Sequence, residues 1–502
     1  MDGRCHDGSE ACRAFIPEYA WRGSRAAEPE TIFASAMNRM LLRQTERSGR
    51  LTEFECLPVE WPFKHMPSQR WLHIIPVCFI MYTIAYIDRT NVSMAIPAMS
   101  RALHMNTSQA GGAAGVFFWG YVALQIPAGY LAQRWSPKRL VAISLMAWGL
   151  CSVGCGLVQT SREFWVMRLL LGVAEGGVYP AVLVLLSHWF PRGERARANA
   201  YWMLCMPVAV IVSAPLSGWI LSHWNWRALL IAEGALPFVW LVFWWAFIED
   251  YPHQARWISI DESDYLETTL REESRELDSV KARSLVQSLF SPVVLVMGAV
   301  YLLENIGNYG YLFWLPSALQ SVMKMDNLLT GLLFAIPFVM VAIGMVVVSR
   351  DSDRRLERRL HVVLGLAWGG AFTLASIVLT GTAPVWAYAA ISLVGAGSYA
   401  MLGPFWAIPS ENLPRSVSGP AMGLVNALGN LGGYFGPLTL GIVYNRTHDF
   451  RYSFALVSAA LFAAALSSLL LPSGALLPAT SQDQESAQSE AHPISPVGLP
   501  KQ

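Results

Sequence analysis

Residues 71–91 read WLHIIPVCFIMYTIAYIDRTN. A helix needs about 20 consecutive, mostly apolar residues to cross the hydrocarbon core of a bilayer, and this run supplies them. Near its end stand Asp88, Arg89 and Asn91. A carboxylate or guanidinium at the centre of a membrane helix costs roughly 2.5–3.5 kcal/mol on insertion scales, so such residues need a reason to be there. The stretch predicts a membrane span from Trp71 to Pro97 and a polar site inside it.

Outward from this run the same pattern repeats. Apolar runs cover 109–131, 140–158, 164–189, 196–221 and 229–248. After a hydrophilic gap they resume over 293–315, 328–349, 362–379, 384–408, 419–443 and 454–471. The pattern predicts an all-α membrane protein of about twelve transmembrane helices. Composition agrees: 54% hydrophobic residues, 14% charged residues and a mean hydropathy of +0.37 lie outside the range of soluble domains. A net charge of +1 argues against a nucleic-acid partner; the expected surroundings are the lipid bilayer, with the protein monomeric.

The chain divides at these gaps. Residues 1–70 form a polar N-terminal segment, read as disordered or as lying upstream of the true start, with Met37, Met40 and Met66 as internal candidates. Residues 71–248 form a first helical bundle, 249–289 a charged connector with an amphipathic helical piece, 290–472 a second bundle, and 473–502 a polar tail. Lys and Arg crowd alternate loops: Arg134, Lys138 and Arg139 after the second span, and Arg350, Arg354, Arg355, Arg358 and Arg359 after the eighth. Positively charged short loops stay cytoplasmic, so both termini are expected inside, in the cell inner (plasma) membrane. The seven cysteines lack metal-ligand spacing and read as small core residues, with no disulfide, zinc or other cofactor expected.

The loop after the second span, GYLAQRWSPKR (129–139), and the loop after the eighth, SRDSDRRLERR (349–359), hold equivalent places in the two halves. They resemble the major facilitator superfamily, whose loop reads G-x-x-x-D-R-x-G-R-R. Gln133 replaces the acid, and Ser136 and Pro137 replace the Gly-Arg step. The second copy keeps Asp353, Arg354, Arg358 and Arg359. The resemblance implies the major facilitator fold, with twelve transmembrane helices in two six-helix pseudo-symmetric halves rocking about a midplane site. Arg134, Arg139, Asp353 and Arg354 become candidates for ion pairs that hold the cytoplasmic gate, beside a plainer role as topology-setting charge.

The fourth span carries a second charged motif, RLLLGVAEGG (168–177). A seven-residue separation puts Arg168 and Glu175 on one helix face about 10.5 Å apart, whereas Asp88 and Arg89 point about 100° apart. With both acids ionised the cluster is near neutral. Protonating one or both leaves positive charge that favours an anion, so proton and anion bind cooperatively. The alternative is a set of buried salt bridges between the first and fourth helices.

Together, YIDRTNVS (86–93), RLLLGVAEGG (168–177) and SHWFPRGERAR (187–197) resemble the anion:cation symporter family within that superfamily. Its members include permeases for sugar acids, tartrate and aromatic acids. The resemblance implies Arg89 as the ligand of a substrate carboxylate, Asp88 and Glu175 as protonation sites, and Arg168 as a modulator of the coupling charge. It also implies Tyr121 lining the cavity and Trp406 and Asn426 touching substrate. Gly403 stands where sugar-acid carriers often have a hydroxyl. From the residues themselves, Asn305, Asn308, Tyr309, Tyr311 and Trp314 make the seventh span unlike a lipid-facing helix, so Asn308 and Tyr309 are candidates for the substrate wall, with interhelical packing an equal reading. Glu304 fits packing and function alike. The expected activity is uptake of a small organic carboxylate by proton symport, the proton being the coupling ion. Anion exchange and ligand sensing are the alternatives. No H-E-x-x-H, G-x-S-x-G or P-loop motif points to an enzyme.

Overall fold

The computed structural model describes residues 69–279, 290–355, 357–412 and 415–473. The N-terminal segment with its candidate starts, Cys5, Cys12 and Cys56, and the tail from residue 474 lie outside them. The first half is built from α1 (Gln69–Ala102), α2 (Thr107–Arg134), α3 (Pro137–Leu157), α4 (Ser161–Trp189), α5 (Arg197–His223) and α6 (Trp226–Phe247). A connector helix, α7 (Ile260–Ser279), follows. The second half holds α8 (Pro292–Met323), α9 (Asn327–Ser352), α10 (Arg359–Leu379), α11 (Pro384–Pro409), α12 (Arg415–Thr447) and α13 (Phe450–Ser468).

Among the described residues, eleven helices are long and apolar enough to cross a membrane, and even the 19-residue α13 rises about 28 Å. The exception is α12. At 33 residues it has the length, but Gly423, Gly429, Gly432, Gly433 and Gly436, with Asn426 and Asn430, dilute its apolar character. It packs between α2, α8 and α13. Close packing is what small residues in a membrane helix supply, so α12 fills the expected twelfth place by fit more than by hydropathy.

Local chemistry sets the helix starts. Asn106 accepts the Gln109 N–H at 2.8 Å while Gln109 Oε1 accepts the Asn106 N–H at 3.0 Å, a capping box that starts α2. Thr160 and Glu163 repeat the device at α4. Asp449 caps α13, and the adjacent Arg451 guanidinium holds its carboxyl below the usual range. Inside the bundle several helices break: α2 at Val116, α4 at Gly176–Gly177, α5 at Leu204, α6 at Ala235 and α11 over 399–401.

The two halves touch backbone to backbone at the end of the bundle opposite the connector. A methyl group on Gly111 of α2 would collide with the Pro437 carbonyl of α12, and one on Gly331 of α9 with the Ala214 carbonyl of α5. Asn327 Nδ2 also donates to the Leu221 carbonyl across the second seam, at 3.1 Å. At the connector end, buried Glu262 of α7 accepts from Arg70 Nη1 at 2.5 Å, and the same guanidinium donates to Glu194 at 2.8 Å. The connector helix is thereby fastened to the start of α1 and to the segment before α5.

Candidate functional site

The site forms where α1, α2 and α4 meet. Gly172 and Gly176 let α4 lie directly on α2, since a methyl group on either would strike the Phe117 or Tyr121 carbonyl. This approach carries Glu175, the last residue before the break in α4, to Arg89 of α1. Arg89 Nε donates to Glu175 Oε1 at 2.6 Å, and Nη2 makes an ion contact with the same oxygen. The guanidinium lies over the Tyr121 ring, 4.4 Å from its centroid, with Phe117 and Tyr82 each at 5.5 Å. Arg89, Tyr121 and Glu175 are buried, and Glu175 Oε2 has no hydrogen-bond partner. A guanidinium held on one edge by a carboxylate and on its faces by rings keeps its remaining N–H groups for a second acceptor.

Asp88 points elsewhere, as adjacent residues on a helix must. It accepts from Trp148 Nε1 and from Ser152 Oγ, both on α3, and from Asn91 Nδ2 at 3.2 Å. These three donors are neutral, so Asp88 is held by α3 and not by an arginine. Arg168 does not pair with Glu175 along its own helix. Its Nη2 donates to the Ala114 carbonyl at 3.3 Å, its guanidinium sits 5.0 Å from the Phe117 centroid, and its Nε is unpartnered.

Glu233 of α6, absent from the reading of the sequence, extends this network. It is buried, accepts from Ser217 Oγ at 2.7 Å, and its Oε2 has no hydrogen-bond partner. The available signal was the one that singled out Asp88: Glu233 is the lone acid within the apolar run 229–248. Trp148 and Ser152 gave no such signal.

The second half contributes an aromatic wall. Tyr309 of α8 meets Phe118 of α2 edge-on at 4.5 Å, bridging the halves. Asn308 is engaged within its own half, donating to Glu304 Oε1 at 2.5 Å and accepting from Ser398 Oγ at 2.7 Å. Tyr311 and Trp314 donate to the carbonyls of Ile391 and Pro437, and Asn305 to that of Tyr301, all packing bonds. Trp406 is half-buried against Tyr301 at 5.2 Å. Asn426 is also half-buried, and its carbonyl accepts the Asn430 amide at 2.8 Å.

The gating candidates lie apart. Arg134 and Arg139 are exposed, Arg134 over the Tyr130 ring at 4.8 Å. The contacts at this loop come from residues that depart from the superfamily pattern: Ser136 Oγ donates to Asp250, the Lys138 N–H donates to Asp250 at 2.8 Å, and Lys138 Nζ pairs with Glu249 at 2.9 Å. Arg354 is exposed, and the side chain of Asp353 lies outside the described residues. In that loop Asp351 pairs with Arg355 and His361, and Arg358 donates to Ser352.

Two helical bundles that meet at one end, with a cluster of buried charged and aromatic residues between their helices, are the architecture of a membrane transporter. The Major Facilitator Superfamily model matches residues 78–437, and the chain belongs to that superfamily. It is 30% identical to a quinolone resistance transporter of Acinetobacter baumannii over 74% of this chain and 87% of that one. It is 29% identical to a putative tartrate transporter of Agrobacterium vitis over 80% and 93%. The inward-open xylose transporter XylE from E. coli matches with a TM-score of 0.65 at 16% identity, over 84% of this chain and 99% of that one.

Proposed function

We propose that this multi-pass membrane protein imports a small organic carboxylate by proton symport and alternating access, in the inner membrane with both termini cytoplasmic. The observation that carries this reading is the buried Arg89–Glu175 pair. Glu175 occupies the cation that a substrate carboxylate needs. Protonating Glu175 removes its charge, weakens its hold on Arg89 and leaves a cation for the incoming carboxylate, so proton and substrate arrive together. Tyr121 against the guanidinium, and Tyr309 edge-on to Phe118 in the facing wall, restrict where that carboxylate can sit. Asp88 and Glu233, both buried acids of the first half, are the further groups that can pass the proton, with Arg168 setting the charge around them. The tartrate relative supports a carboxylate-bearing cargo.

Uptake into proteoliposomes under an imposed pH gradient tests this. Glu175→Gln is expected to abolish the acceleration by the gradient while counterflow persists. Arg89→Ala is expected to weaken carboxylate binding at least about a hundredfold, near 2.8 kcal/mol. Gradient-driven uptake that survives Glu175→Gln unchanged would sink the coupling assignment, and counterflow without proton movement in the unaltered protein would make it an exchanger.

A further inference from the structure

At the connector end of the first half a cleft of about 710 Å³ opens between the start of α3, the end of α6 and the segment that leads to α7. Its walls are tied together by tryptophans. Trp244 Nε1 donates to the Lys138 carbonyl at 3.0 Å, and Trp189 Nε1 of α4 donates to the Glu249 carbonyl at 2.9 Å. Trp257, which lines the cleft, stacks on Trp189 at 5.1 Å and on His73 of α1 at 4.2 Å. The cleft is far in the chain and in the fold from Arg89 and takes no part in the cycle proposed above.

Five charged side chains line it: Lys138, Arg139, Glu249, Asp250 and Arg256. The acids are spent within the wall. Asp250 accepts from Ser136 Oγ and from the Lys138 N–H, which closes the start of α3, and Glu249 pairs with Lys138 Nζ at 2.9 Å. The same ammonium lies 5.1 Å from the centroid of the Trp245 ring. Arg139 and Arg256 are left over. Both are exposed, and among the described residues neither guanidinium has a carboxylate partner. A guanidinium is a planar fork of N–H donors that matches two oxygens of a phosphate, and this cleft offers two of them.

The cleft runs into an apolar strip. Trp245 and Phe247 of α6 line it, and Phe243 stacks on Phe247 at 6.4 Å, one turn back along the helix. Val242 and Val239 continue that side of α6, 69% and 58% exposed. Only 33% of the apolar stretch of α6 is buried within the bundle, so this side of the helix meets lipid. Trp135, Trp245 and Tyr251 are exposed at the rim, and Trp and Tyr are the residues that collect at the boundary of hydrocarbon and water. A soluble phosphate would use the arginines and leave the strip bare. A phospholipid uses both.

We propose that this cleft is a binding site for an anionic phospholipid of the leaflet at the connector end. Arg139 and Arg256 take the phosphate oxygens, and an acyl chain lies along Phe243 and Val242. The bound lipid joins the loop between α2 and α3 to the connector. A zwitterionic headgroup brings a cation against the two arginines and is held less well. The site stands whatever cargo the centre of the protein carries.

Native mass spectrometry of the full chain, stripped of lipid in detergent, tests this by titration with phosphatidylglycerol, with phosphatidylcholine of the same chains and with inorganic phosphate. One phosphatidylglycerol is expected to bind saturably, at least about tenfold more tightly than phosphatidylcholine. The double substitution Arg139→Gln with Arg256→Gln is expected to bring phosphatidylglycerol down to the level of phosphatidylcholine. Arg101→Gln with Arg446→Gln removes the same charge from exposed residues at the other end of the bundle and is expected to leave the preference intact. Equal binding of the two lipids by the unaltered protein overturns the proposal, and that result depends on no variant folding. A preference that survives the Arg139 and Arg256 substitutions overturns it as well, as does one that the Arg101 and Arg446 substitutions also erase, which would make it a matter of overall charge. Inorganic phosphate that displaces the lipid at equal concentration would make the ligand a soluble phosphate and overturn the lipid assignment.

Discussion

As the proposed carboxylate ligand, Arg89 serves two acceptors in turn, and the geometry round it explains how one residue can do so. Nε and Nη2 both address Glu175 Oε1, while Tyr121 covers a face and fixes the plane of the guanidinium. Asp88 is one residue away and does different work, because a 100° step turns it towards α3. There Trp148 and Ser152 hold it. Trp148→Phe keeps the ring packing and removes one donor from a buried carboxylate. Such an unmet acceptor costs about 1–3 kcal/mol, so the unfolding midpoint in detergent is expected to fall; an unchanged midpoint would show that the indole does not hold Asp88. A methyl group added at Gly403 would meet Ser349 Oγ, the end of a side chain that would have to turn aside.

At the scale of elements, the decisive contact is α4 on α2. Gly172 and Gly176 recur at four residues, on one helix face, and each admits a carbonyl of α2 where a side chain would otherwise stand. Gly172→Ala is expected to push the helices apart, costing about 1–3 kcal/mol and moving Glu175 away from Arg89. Gly423 of α12 is the contrast, with nothing within 4 Å of an added methyl. Gly423→Ala should be neutral or stabilise by up to about 1 kcal/mol through helix propensity. Thermal unfolding of the two variants side by side checks the pair. Similar losses would mean that glycine content, and not the α2–α4 approach, governs stability.

For the whole molecule, alternating access requires the sealed end to part. The seams there are α2 with α12 and α5 with α9, joined through glycine-to-carbonyl contacts that admit no added side chain. Gly331→Leu is expected to wedge the second seam and favour the state open on that side. Spin labels at Arg101 and Arg446, exposed residues of the two halves at this end, should then report a longer distance population than in the unaltered protein. An unchanged distribution would place the moving seam elsewhere. The opposite end is organised differently: Arg70, Glu194 and Glu262 fasten the connector helix to the first half, so α7 is expected to travel with that half as it rocks.

The sequence by itself determined the solvent of this chain, the division into two halves, and the presence of Asp88, Arg89, Arg168 and Glu175 inside the membrane. All of these follow from hydropathy and from the cost of burying charge, which are properties of short segments. Only the tertiary structure decided who pairs with whom. Helical spacing put Arg168 and Glu175 on one face of α4, yet the glycine contact with α2 and the break after Glu175 gave Glu175 to Arg89. The same holds for Ser217 meeting Glu233, for Ser136 and Lys138 taking the loop contacts expected of Arg134 and Arg139, and for Tyr309 meeting Phe118 across the two halves. Pairing depends on where separate helices approach, and that is fixed by packing between segments distant in the chain.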